Sequence, residues 1–252
     1  MKKMRIRKFI GFLILSVILL GFIGFVEKQS QYKTYQGLEV QIEGVSGLYF
    51  VDSKEIVPLI QEGFPNLKAG MMLEEVPLKE IEDRLKGHPF VKNADASLGQ
   101  KGILQLWIEQ HQPIARIARP LAADAYITTE GKIIPTSPSY TSRVLILYGP
   151  QLEKLLDQGE VMTEMPELMD LITFINGDEF WKAQITEVEV NSKTDIRLYQ
   201  QVGRQVIELG DAGNLDDKFE RIQIFYSEIL PRKGWDAYER VSVKFKEQIV
   251  CE

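Results

Sequence analysis

Of the 252 residues, 44% are hydrophobic and 26% are charged, which supplies a packed core and excludes a disordered polyelectrolyte. The formal charge of −6 hides an asymmetry, because five cations crowd the first eight residues while residues 27–252 carry 25 bases against 36 acids. That acidic balance excludes a nucleic-acid binder outside the tail, since phosphate recognition needs a basic footprint. The single cysteine, Cys251, excludes an intramolecular disulfide.

The chain opens on Lys2, Lys3, Arg5, Arg7 and Lys8 and then runs without a charge or proline from Phe9 to Val26. As a helix, eighteen residues span about 27 Å, close to the hydrocarbon thickness of a bilayer. Fourteen of them are Phe, Ile, Leu or Val, which favours insertion. The basic tail, residues 1–8, is expected to stay in the cytoplasm and to send the rest across. A cleaved signal peptide is the rival reading. Its apolar region would be shorter and would end in a small-x-small site, which the exit Gly24-Phe25-Val26-Glu27-Lys28 does not offer.

Residues 27–37 are polar and aperiodic and read as a stalk. Leu38 to Ile42 alternates like a half-buried strand. Asp52 is a helix cap with Glu55 three residues on and Val51 placed to staple to Ile56; Pro58 argues that this helix is short or bent. A second helix is expected from Pro77 to Lys86, with Leu78, Ile81 and Leu85 on one stripe. Val91 to Leu98 and Ile103 to Glu109 read as strands joined at Gly99-Gln100-Lys101-Gly102. Strand, helix, helix, strand, strand over residues 38–111 makes a small α+β module whose two helices cover one face of a three-stranded sheet.

Past Gln112-Pro113 short strands alternate with turns: Ile114 to Ala118, Tyr126 to Thr128, Lys132 to Ile134 and Val144 to Tyr148. Helices are expected at Leu152 to Gln158 and Pro166 to Ile175, then strands at Ile185 to Val190, Ile196 to Tyr199 and Gln205 to Leu209. Asn214 should cap a helix running from Leu215 to Leu230 and stopped by Pro231 and Gly234. Tyr238 to Val250 is the last strand candidate. Residues 112–252 thus form a second, β-rich domain with covering helices, and the fold class is α+β behind one membrane helix.

Constellations for chemistry are absent. His88 lies in a Gly-His-Pro loop and His111 at the junction of the two modules, so neither belongs to a metal set. No G-x-S-x-G, G-x-G-x-x-G or P-loop occurs. Asp216 and Asp217 suit a helix's first turn. Neither a cofactor, a metal nor a catalytic residue is expected. The function that remains is protein binding through open sheet edges, with residues 238–250 read equally as an edge open to strand addition or as a covered sheet strand.

Val40-Gln41-Ile42-Glu43-Gly44-Val45, Gln112-Pro113-Ile114-Ala115 and Val241-Ser242-Val243-Lys244-Phe245-Lys246, among other stretches, resemble the FtsQ/DivIB family of bitopic cell-division proteins. Val40-Gln41-Ile42-Glu43-Gly44-Val45 resembles the family's first strand, and His88-Pro89-Phe90-Val91-Lys92-Asn93-Ala94 its proline-aromatic-valine run. Gln112-Pro113-Ile114-Ala115 resembles the crossing into the β domain, and Tyr126 to Ile133 its opening hairpin, where Thr128 stands in place of a usual acid. Lys218-Phe219 resembles the opening of the late helix, and Val241-Ser242-Val243-Lys244-Phe245-Lys246 the terminal strand. The resemblance implies a POTRA domain over 38–111 and an FtsQ-type β domain over 112–252. It further implies a non-enzymatic divisome scaffold in the inner membrane at the septum, binding an FtsB–FtsL-like pair. The partner-binding residues it implies are Val241, Ser242, Val243, Lys244, Phe245, Lys246 and Gln248. Phe245 stands where tyrosine is frequent and Ser242 where aspartate is, which removes a phenol and a carboxylate from that surface. The competing class is a membrane-anchored extracytoplasmic enzyme acting on the cell wall.

Overall fold

A computed structural model describes residues 15–21, 34–43, 50–99, 101–158 and 161–252. Residues 15–21 are helical, and Leu15, Val17, Ile18, Leu19 and Leu20 are all more than half exposed. The remainder of the expected Phe9–Val26 span, and most of the stalk, lie outside the described residues. Among the described residues no helix is long and apolar enough to cross a membrane.

The chain divides into two compact units. The first takes Val51–Glu109 together with the chain up to Glu43. It contains β1 (Gly37–Glu43), α1 (Ser53–Gly63), a 3-10 turn (Leu73–Glu75), α2 (Leu78–Lys86), β2 (Val91–Leu98) and β3 (Ile103–Gln110). The strand order is β1-β3-β2, with β1 parallel to β3 in an unbroken register from Gly37↔Ile103 to Glu43↔Glu109. Asp52 caps α1 as expected, its Oδ1 accepting the Glu55 N–H at 3.0 Å. Pro58 lies inside α1 without ending it. Pro58 is itself exposed, on the side of the helix away from the buried Ile56 and Ile60. Ile56, Ile60, Ile81 and Leu85 from the helices are fully buried, as are Leu104, Leu106 and Ile108 from β3. This is the core expected from the helical and alternating stripes. The hairpin glycine Gly102 has φ +75, and a Cβ there would lie 2.1 Å from the Thr34 carbonyl oxygen, so no other residue fits that turn.

The second unit takes Gln110–Glu252 with Gly44–Phe50. Its elements are β4 (Pro113–Ile117), β5 (Ala125–Thr128), β6 (Ile133–Pro135), β7 (Leu145–Tyr148), α3 (Pro150–Gln158), α4 (Val161–Glu164), α5 (Pro166–Gly177), α6 (Glu179–Gln184), β8 (Ile185–Ser192), β9 (Asp195–Gln200) and β10 (Val206–Gly210). They are followed by α7 (Leu215–Ile224), a π turn (Phe225–Ile229), α8 (Leu230–Lys233), β11 (Arg240–Ser242) and β12 (Val250–Cys251). Nine strands make one mixed sheet in the order β12-β11-β10-β9-β8-β7-β4-β5-β6. The pairs β4/β7, β7/β8 and β10/β11 are parallel. Two of these parallel joints are made by helical crossovers, and the helices that make them bury their apolar stripes on one face of the sheet. Leu168, Leu171, Ile172, Ile175, Phe219, Ile222 and Phe225 share one core with Leu147, Val188, Val190, Leu198, Ile207 and Val241.

Three expectations are corrected here. Asn214 stands at the start of α7 but in the left-handed region (φ 50, ψ 48), and its side chain makes no capping bond. That end is organised instead by Asp211, whose Oδ1 accepts the Gly213 N–H at 2.9 Å and the Lys218 ammonium at 2.7 Å. Pro231 does not stop the late helix. The backbone widens into a π turn over Phe225–Ile229 and continues to Lys233, so the proline's missing N–H and its ring are accommodated without a break. Finally, Tyr238 to Val250 is not one strand but two short ones with a turn between them.

Candidate functional site

The expected partner-binding residues surround that turn. Val241 and Ser242 lie in β11, where Val241 is fully buried and Ser242 is flanked by Glu208 of β10 and Val250 of β12. The Ser242 hydroxyl is buried and finds no hydrogen-bond partner among the described residues. Val243 is buried and its N–H donates to the Glu208 carbonyl at 3.0 Å. Lys244 follows the end of β11 and pairs with the Glu208 carboxylate at 3.2 Å. Phe245 presents its ring to solvent, 60% exposed, and Lys246 is exposed beside Glu247. Glu247 takes φ 59, the left-handed turn position that sends the chain back.

What holds the turn is Arg221 of α7, itself 7% exposed. Its Nη1 donates to the Phe245 carbonyl and, at 2.7 Å, to the Gln248 carbonyl, while Nη2 donates to Asp217 at 2.8 Å. The chain then returns as β12, antiparallel to β11, with Val241↔Cys251 and Ser242↔Val250 opposed. Arg240 and Glu252 exchange both backbone bonds, at 2.9 and 3.1 Å, and their side chains form an ion pair. Antiparallel pairs alternate between hydrogen-bonded and non-bonded partners, so Val241/Cys251 is a non-bonded pair. The N–H and C=O of Cys251 therefore point away from β11, toward the open edge. Val250, 38% exposed, lies on the sheet face beside them. Burial raises the Cys251 thiol pKa, so the thiol stays protonated at neutral pH and little reactive.

Val241, Ser242, Val243, Lys244, Phe245, Lys246 and Gln248, which the resemblance implies as partner-binding, lie in β11 and in the turn that follows it, at one end of the sheet. Sequence reasoning missed Arg221, Glu252 and the edge groups of Cys251. A lone arginine amid the apolar face of the late helix was the available signal for the first.

It also missed a cross-strand row on the sheet face away from the helices. The register sets Ser242 beside Glu208, Glu208 beside Arg197, Arg197 beside Glu189, and Glu189 beside Tyr148. Tyr199 donates to Glu189 at 2.9 Å, and Arg197 lies 3.6 Å from the same carboxylate. Burial, the hydrogen bond Tyr148 donates to Tyr199 and the neighbouring carboxylates push the Tyr148 phenol pKa well up, so it stays protonated. Such alternating charges fix the register of central strands.

Both histidines are largely buried. His88 pairs with Glu55 at 3.2 Å, and His111 is 5% exposed, with Lys132 at 3.3 Å and Glu130 at 3.5 Å. Among the described residues no group of His, Cys, Asp and Glu could hold a metal ion.

No curated protein matches the chain. Residues 112–252 match the family described as FtsQ/DivIB, C-terminal related, a span that runs from the start of β4 through the returning strand β12. With more than half of its length so matched, across the whole β-rich unit, this chain belongs to the FtsQ/DivIB, C-terminal related family, which ties it to cell division.

Proposed function

We propose that the protein is a non-enzymatic, single-pass scaffold of the division machinery. Residues 9–26 anchor it in the inner membrane, residues 1–8 stay in the cytoplasm, and a POTRA-like domain (38–111) and an FtsQ-type β domain (112–252) lie outside. Its partners are an FtsB–FtsL-like pair, recruited at the division site by strand addition beside the C-terminal strands.

The observation that carries this reading is the outermost strand of the sheet, whose Cys251 peptide groups face outward. Added main-chain bonds supply affinity there, and the exposed Phe245 and Val250 side chains supply selectivity. Arg221 holds this edge rigid from the core side, which lowers the ordering cost of docking. The two-residue length of β12 and the cations Lys244 and Lys246 around it discourage indiscriminate pairing.

Crosslinking in living cells from positions 238 to 250 tests this directly. The expected result is covalent capture of small bitopic division proteins from Phe245 and Val250 and not from the exposed Pro135 at the opposite edge. Equal capture from both edges, or hydrolysis of purified peptidoglycan by the protein, would remove it.

A further inference from the structure

We propose that the β-rich unit carries a second site, for a small oxyanion-bearing ligand with an apolar part, independent of strand addition. A cavity of about 500 Å³ lies at the N-terminal ends of β7 and β8, within the range of ordinary ligand pockets. Arg116, Arg143 and Lys182 line it, with Ile146 and Ile175 as apolar wall, and no carboxylate is among its lining residues.

That lining is at odds with its setting. Residues 112–252 carry 23 acids against 16 Lys and Arg, and several of the unit's other cations pair with them, although Lys154, Arg204 and Lys233 show no ion pair among the described residues. Arg119 reaches Glu153, Arg232 reaches Glu228 and Arg240 reaches Glu252. Arg143 and Lys182 make no ion pair or side-chain hydrogen bond among the described residues, although both are exposed in an acidic unit. Arg116 is held by Asp124, its Nε donating at 2.7 Å, which fixes the guanidinium at the rim.

Two uncompensated cations and one oriented guanidinium on a concave, partly apolar surface favour an anion with charge-assisted hydrogen bonds. Ile146, 36% exposed, and the buried Ile175 offer the apolar wall that a bare inorganic ion would leave unused. Phosphate and carboxylate share the required chemistry, and the test separates them.

The full chain in a zwitterionic detergent is titrated by calorimetry with phenyl phosphate, phenylacetate and benzylamine. Saturable binding of one or both anions, weakened by added salt and at least tenfold weaker in the Arg143→Ala/Lys182→Ala double variant, supports the site. The tighter of the two anions then names its class. Absence of saturable binding by either anion, equal binding of benzylamine, or an undiminished affinity in a folded double variant overturns it. Both substituted residues are solvent-facing, and circular dichroism checks that the variant keeps the fold.

Discussion

Lys218 is 4% exposed, and among the described residues its ammonium is satisfied by Asp211 alone, through the backbone carbonyl and the carboxylate, each at 2.7 Å. The hydrogen bond from Lys218, with that from the Gly213 N–H, holds the Asp211 pKa below its ordinary value. Its stabilising contribution is therefore complete above the ordinary carboxylate range and is lost as pH falls through the lowered pKa. Because the Asp211 side chain is 60% exposed, Asp211→Asn should cost about 1 kcal/mol near neutral pH, less than breaking a fully buried pair. Urea midpoints should separate the two proteins at neutral pH and converge as pH falls through the lowered Asp211 pKa. A gap that persists in acid would assign the loss to packing. None of this was legible in the sequence. Asn214 had the local claim to the helix cap, but it sits in the left-handed region with no side-chain capping bond, and Asp211 instead ties the preceding loop to Lys218.

The turn between β11 and β12 depends on a helix far from it in sequence. Arg221→Ala leaves the Phe245 and Gln248 carbonyls without their donor and uncovers a buried gap, an expected loss of about 2–4 kcal/mol by chemical denaturation. Amide exchange at residues 245–249 should accelerate more than in β9. Uniform acceleration would instead mean a global effect. The elements themselves were largely readable. Asp52 and the Leu78/Ile81/Leu85 stripe announced the first two helices, and Gly99 with Gly102 the hairpin. The alternation Val241, Val243, Phe245 read as a continuous strand because period-two patterning does not register a turn whose residues happen to keep the same parity. Glu247 in a left-handed conformation carries none of the Gly or Asn chemistry that would have marked it. Pro231 misled for a similar reason, since a π turn lets a helix pass a proline that ordinarily ends it.

At the scale of the whole molecule, the change of texture after Pro113 suggested where a β-rich region begins. Nothing in the sequence suggested the sheet order. Parallel joints across β4, β7 and β8 bring distant segments side by side, and no local pattern encodes which strand neighbours which. The same topology puts β11 and β12 last in the row, and so makes an edge from residues that their sequence alone left as either covered or open. The account rests on that edge accepting a partner strand through main-chain groups. Replacing Cys251 by proline removes its outward N–H while leaving the Arg240–Glu252 exchange of bonds in place. The deciding measurement is quantitative co-purification of FtsB- and FtsL-like proteins with the full chain and with Cys251→Pro, folding checked by thermal denaturation. The account predicts capture weakened roughly fivefold or more, the worth of one main-chain hydrogen bond. Undiminished capture by a fully folded Cys251→Pro protein would contradict it.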